Sequence, residues 1–216
     1  GTDRLYLPAS NLDQLQKYIG NEGDVPRIHK MGGSDWRKAV TKAQKSIDDL
    51  ADKLVELYAK REITEGFAFL PDQPWQQEFE DAFPYEETED QLQATREIKE
   101  SMERPTPMDR LLAGDVGFGK TEVAMRAIFK AVVSGKQVAV LVPTTVLAQQ
   151  HYQTFLNRFN PFGVKVDVLN RFRSTAEKKE VLKGVENGSI DILIGTHSLL
   201  NKKVKFKDLG FLVVDE

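Results

Sequence analysis

Eight residues, GDVGFGKT at Gly114–Thr121, fit the pattern G-x-x-x-x-G-K-[ST]. They follow the apolar run RLLA at 110–113 and open a helix-patterned segment, KTEVAMRAIFKAV. A strand, a glycine loop and a helix in that order are the context in which such a loop cradles phosphate. Gly114, Gly117 and Gly119 let the backbone turn tightly and aim its N–H groups at phosphate oxygens, and the helix N-terminus adds positive potential. The whole loop is therefore a candidate ATP site: Gly114, Asp115, Val116, Gly117, Phe118, Gly119, Lys120 and Thr121. Lys120 is placed to reach the β- and γ-phosphates, and the Thr121 hydroxyl to ligate Mg2+.

The pattern around the loop predicts the rest of the fold. Helices are expected at about 89–103, 119–133, 145–158 and 175–187. Short apolar strands are expected at 110–113, 137–142, 164–169, 190–194 and 211–214. Strands alternating with helices imply an α/β lobe, a parallel sheet with helices on both faces. The last strand runs into two carboxylates, VVDE. This fits a Walker B strand, in which Asp215 holds Mg2+ and Glu216 activates the attacking water.

Three more loops leave the expected carboxyl edge of that sheet, where open α/β sheets bind ligands. One carries Pro143, Thr144 and Thr145, the second Arg171 and Arg173, the third Thr196 and His197. Thr144 or Thr145 is a natural helix cap. Three loops of this kind on one edge also suit contact with a nucleic-acid backbone. Thr88 and Gln91 form a capping box in TEDQ. Gln91 is equally suited to hydrogen-bond an adenine edge, with Tyr85 or Phe83 as a surface for the ring. The residues alone leave both readings open.

Ahead of the lobe the chain reads as three smaller pieces. Residues 1–33 hold a lone strand, LYLP at 5–8, and a short helix capped by Ser10. Residues 34–65 carry Trp36, Val40, Ala43, Ile47, Leu50, Leu54 and Leu57 at heptad spacing, which predicts one long helix from Ser34 to about Arg61. Residues 66–87 read as a linker with a small helix capped by Asp72, with Pro74 in its first turn and Trp75, Phe79 and Phe83 on one face. The lobe proper is 88–216.

Composition narrows the function classes. With no cysteine, disulfides, thiolate metal sites and cysteine nucleophiles are excluded. His29, His151 and His197 have no metal-site spacing. No apolar run reaches 18 residues, and no signal-peptide pattern opens the chain, so a cytoplasmic protein without membrane contact is expected. The formal net charge is −3, so any DNA contact comes from local positive groups.

The motifs PTPMDRLLAGDVGFGKTEVAMRA, VAVLVPTTVLAQQHY, LNRFRS, DILIGTHSLL and LGFLVVDE closely resemble the first motor lobe of the bacterial transcription-repair coupling factors, superfamily 2 translocases of double-stranded DNA. The RecG fork helicases are similar through PMDRLLAGDVG and GKT, with a small residue expected where this chain has Phe118. NRFRS and PYEETEDQ lean to the coupling factors. LYLP, LDQLQKYIG and GGSDWRKAV resemble the end of that family's RNA-polymerase-interacting domain and the helix behind it. The resemblance implies an ATP- and Mg2+-dependent motor on duplex DNA that pushes a stalled RNA polymerase, held through its β subunit, until it releases. It also implies recruitment of a nucleotide-excision damage-recognition protein through regions outside these residues. Residue by residue, it gives Lys120, Asp215 and Glu216 to catalysis and Gln91 to adenine. It gives the loops at 143–145, 171–173 and 196–197 to DNA. The family's second motor lobe, with its arginine finger, is not in these residues, so the chain alone is expected not to turn over. A RecG-type helicase, or a module that chiefly binds polymerase, are the other readings.

Overall fold

A computed structural model describes residues 4, 6–15 and 33–215 of the chain. Two compact units divide it, residues 1–60 and 61–216. In the first, residues 6–8 have no regular structure and Ala9–Gln14 form a 3-10 turn. The predicted strand at 5–8 is thus not formed by Tyr6–Pro8, and Leu5 lies outside the described residues. A strand with no neighbour has nothing to satisfy its ladder groups. Ser10 sits inside the turn and donates to Asn11 Oδ1 rather than capping a helix. Helix α1, Ser34–Ile63, holds the heptad stripe as predicted, and none of its residues is buried. The i,i+4 pair Glu56–Lys60 closes at 2.7 Å.

The second unit is built on four parallel strands: β1 (Gln137–Leu141), β2 (Val166–Leu169), β3 (Ile192–Gly195) and β4 (Leu209–Val214), in the order β2-β3-β1-β4. Side chains alternate between the faces. Val138, Val140, Val166, Val168, Ile192 and Ile194 join the main core with Phe129, Phe155 and Phe159 from helices α4 (Lys120–Val133) and α5 (Thr145–Phe159). Leu169 and Leu193 point the other way, onto Val181 and Val185 of helix α6 (Thr175–Asn187). Helix α5 carries the chain from β1 to the far edge, and α6 brings it back one strand. A reversal of direction with right-handed crossovers places these helices on opposite faces. The β4 end of the α6 face is bare, with Leu212 and Val214 more than half exposed.

The predicted strand at 110–113 is not formed: the segment has no ladder partner among the described residues, and Leu111 is 89% exposed. Leu112 packs on the core, so the apolar signal in RLLA reports partial burial rather than pairing.

Residues 66–87 are part of the lobe core, not a free linker. Phe69 and Phe79 are buried in it, and Phe79 stacks on Phe129 with centroids 4.2 Å apart. Helix α2 (Pro74–Asp81) starts with Pro74 in its first turn, but its cap residue is Gln73 and Asp72 does not cap it. Asp72 instead meets Lys130 at 2.8 Å and Lys99 at 2.6 Å, from α4 and from helix α3 (Glu89–Met102). Lys130 is 1% exposed, and a buried ammonium needs such partners. Arg126, one turn earlier on α4, meets Glu87 at 2.9 Å and Glu122 at 3.1 Å. Two buried cations of α4 therefore fasten residues 66–87 into the lobe.

Candidate nucleotide and nucleic-acid site

Register aligns the ends of the strands. Leu141 of β1 pairs with Gly195 of β3 and Val214 of β4, and Gly195 pairs with Leu169 of β2. The four strands therefore finish in one row. From that row leave Pro143–Thr145, Arg171–Arg173, Thr196–His197 and Asp215, the set that the sequence assigned to one edge. Pro143, His197 and Asp215 line a common cleft with Leu141, Val142, Leu200 and Val214.

The phosphate loop enters α4, which packs on β1 and β4. Gly117 and Gly119 have φ of 86° and 72°, in the left-handed region that favours glycine. Gly119 is also the N-cap of α4, and a Cβ there would lie 2.4 Å from Gln91 Nε2. Lys120 folds back over its own loop: Nζ donates to the carbonyls of Gly114 at 2.6 Å and Asp115 at 2.8 Å. Val116 and Phe118 are exposed, and Thr121 is half-buried at the start of the helix.

Gln91 serves two elements. Its Oε1 accepts from the Thr88 N–H at 3.0 Å while Thr88 Oγ1 accepts from the Gln91 N–H at 3.2 Å, a full capping box on α3. Its Nε2 donates to the Phe118 carbonyl at 2.9 Å. The capping reading is formed, and the same amide touches the phosphate loop. Phe83 and Tyr85 meet edge to face at 5.4 Å, with Tyr85 exposed and Phe83 half-buried near the Arg126 guanidinium.

The loop residues differ in availability. Thr144 is exposed and caps α5, accepting from the Leu147 N–H at 3.2 Å, and Thr145 is half-buried. Arg171 is exposed beside the Phe172 ring and makes no ion pair among the described residues. Arg173 is engaged: it meets Asp167 at 2.6 Å and Glu177 at 3.5 Å. Thr196 is buried and His197 exposed.

Asp215 donates its N–H to the Leu141 carbonyl at 2.9 Å, and its Oδ2 lies 2.6 Å from His151 Nε2 on α5. Sequence reasoning set His151 aside. Only the adjacency of β1 and β4 brings α5 over the end of β4, and no spacing along the chain encodes it. Glu216 lies outside the described residues. Thr121 and Asp215 offer hard oxygen donors, the kind that hold Mg2+ together with substrate phosphates. The described residues contain no group of three or more His, Cys, Asp or Glu able to hold an ion alone. Nor does any helix among them have the length and apolarity to cross a membrane.

A family model described as DEAD/DEAH box helicase matches residues 88–216, from the cap of α3 to two residues past β4. The chain belongs to the DEAD/DEAH box helicase family. The chain also has named relatives over its full length. The whole chain is 56% identical to the transcription-repair-coupling factor of Bacillus subtilis (strain 168) and 53% identical to that of Staphylococcus haemolyticus, each over all 216 residues. The chain spans 18% of the length of these relatives. Among solved structures, RecG bound to a three-way DNA junction is similar, with a TM-score of 0.71 and 38% identity. That match covers 74% of this chain and 22% of the other. The resemblance read from the motifs and the α/β lobe read from the periodicity both hold.

Proposed function

We propose that this chain is the ATP-binding lobe of a double-stranded DNA translocase that displaces stalled RNA polymerase and couples transcription to nucleotide-excision repair. The observation that carries the reading is extent. Relatives of one name match all 216 residues, including everything ahead of residue 88, while the likeness to RecG covers 74% of the chain.

The roles follow from the site. Backbone N–H groups of Gly114–Thr121 hold the phosphates, and Lys120 leaves its loop carbonyls for the β- and γ-oxygens. Thr121 and Asp215 are the residues that would hold Mg2+, which neutralises phosphate charge when bound. Glu216 orients and activates the attacking water. Gln91 reads the adenine edge beside Tyr85 and Phe83, through the amide hydrogen and lone pair its capping bonds leave over. Pro143, Thr144, Thr145, Arg171, Arg173, Thr196 and His197 follow one DNA backbone along the row of strand ends, with Arg171 the cation most ready to do so. RNA polymerase, through its β subunit, is the partner of the residues ahead of the helix α1.

The test uses a chain of the relatives' full length. ATP hydrolysis is measured with and without duplex DNA, beside Lys120→Ala and Glu216→Gln. Duplex DNA is expected to stimulate the parent, and each variant to lose about 100-fold or more. Full activity in either variant sinks the assignment. The chain of 216 residues alone is expected to show no DNA-stimulated turnover. A RecG-type enzyme is the second reading, favoured by the structural likeness. Greater stimulation by a three-way junction than by linear duplex would select it.

A further inference from the structure

We propose that His151 is a positioning residue for Asp215, a strut through which the first turn of α5 sets the place of the metal-site carboxylate. The inference rests on the reading of Asp215 as a Mg2+ ligand and goes beyond it.

Helix α5 has one inward face. Ala148, Phe155 and Phe159 are buried on it, and His151 shares that face at i+3 from Ala148. The bland reading is a core histidine that fills space. Two observations weigh against it. The ring is polar where a leucine would pack, and its Nε2 spends itself on a carboxylate at 2.6 Å, short enough for a charge-assisted bond. The carboxylate is that of Asp215, the first residue beyond β4, whose backbone is already pinned to Leu141. With its backbone held there and Oδ2 taken by His151, the remaining freedom of Asp215 is small. Oδ1 is left as the free donor.

The histidine is itself held from behind. Its side chain is 12% exposed, and the ring meets the buried Phe155 edge-on with centroids 6.0 Å apart. Seven residues earlier on the same helix is Thr144, the cap, in the loop assigned to DNA phosphate. Seven residues of α-helix are two turns, about 10 Å of rigid rod. Asp215, Pro143 and His197 also line one cleft, so the carboxylate and two DNA-loop residues face the same space. A phosphate that pulls on the first turn of α5 moves His151 with it, and His151 moves Oδ2. Partners that orient a ligating carboxylate typically govern metal affinity by 10- to 100-fold.

The experiment uses a chain of the relatives' full length. Binding is read, not turnover: a fluorescent ADP analogue reports nucleotide, and the spectrum of bound Mn2+ reports the metal, each with and without duplex DNA. Lys120→Ala is the control for the site as a whole. In His151→Ala we expect metal-free nucleotide binding within about twofold of the parent. We expect half-saturation by Mn2+ to rise about 10-fold or more, and to stop responding to duplex DNA. His151→Gln, which can offer an amide N–H in place of Nε2, is expected to recover most of both. A Mn2+ titration of His151→Ala that overlays the parent overturns the proposal. So does a weakened titration that still shifts with duplex DNA as the parent's does. If instead Asp215→Asn, measured beside them, leaves the Mn2+ titration unchanged, the reading of Asp215 as a ligand fails, a result distinct from failure of the strut.

Discussion

Gly119 joins three constraints at one atom. It caps α4, it holds φ at 72°, and its missing side chain leaves room for the Gln91 amide. Gly119→Ala places a Cβ against Gln91 Nε2 in a region that costs an L-residue about 1–2 kcal/mol. We expect a lower Tm by a few degrees and weaker nucleotide binding, both measurable on one preparation by a melt with and without ADP. An unchanged melt and affinity would mean that the loop relaxes away from Gln91. The need for glycine here was legible in the motif, whereas the neighbour that enforces it was not. Thr88 and Gln91 were legible as a capping box because the two residues are local. His151 was not legible, since its partner is 64 residues away. Asp72 was misread for the same reason in reverse. Its spacing to Pro74 imitates a cap, but Lys99 and Lys130, both distant in sequence, compete for it and win.

At the scale of elements, the local signals that succeeded were complete ones. Helix α6 begins at Thr175 and ends at Asn187 as predicted, because Ser174 and Glu177 form a capping box and Gly188 closes the helix with φ of 80°. The run at 110–113 had only hydrophobicity, and without a ladder partner it is a loop in which Leu112 packs on the core while its neighbours stay exposed. For the segment 66–87 the sequence offers a linker with one small helix, and nothing local shows what its carboxylates face. Two of its acids, Asp72 and Glu87, are counter-ions of α4. Burial opposes the charge on Asp72, yet hydrogen bonds from Lys130 and Lys99 hold its pKa below the ordinary 3.8. The Arg126 hydrogen bond likewise lowers Glu87 from the ordinary 4.5. A carboxylate with a lowered folded pKa stabilises the fold above its unfolded value and loses that contribution as pH falls through the folded one. The Tm of the parent should therefore exceed that of Asp72→Asn by a constant margin from about pH 7 to 5, and the margin should close below about pH 4. A margin that is flat down to pH 3 would show that the pair contributes nothing through charge.

For the molecule as a whole, the contrast is between a lobe with buried polar staples and a helix with no buried residue. Segments with few buried contacts open at lower free energy than a packed core. Amide exchange in α1 residues 34–60 should be complete while β1 and β3 are still protected; equal protection would require that the helix be covered. The level row of strand ends has a consequence of its own, in footprint. Four strands about 4.8 Å apart make an edge about 14 Å long. Along one strand of a duplex that is a rise of about four nucleotides. If the row follows DNA as proposed, a lobe with so short an edge reaches only a few phosphates. Its DNA affinity should fall with salt on a logarithmic slope no steeper than about −3 to −4, and any firmer hold on the duplex must be shared with a second body.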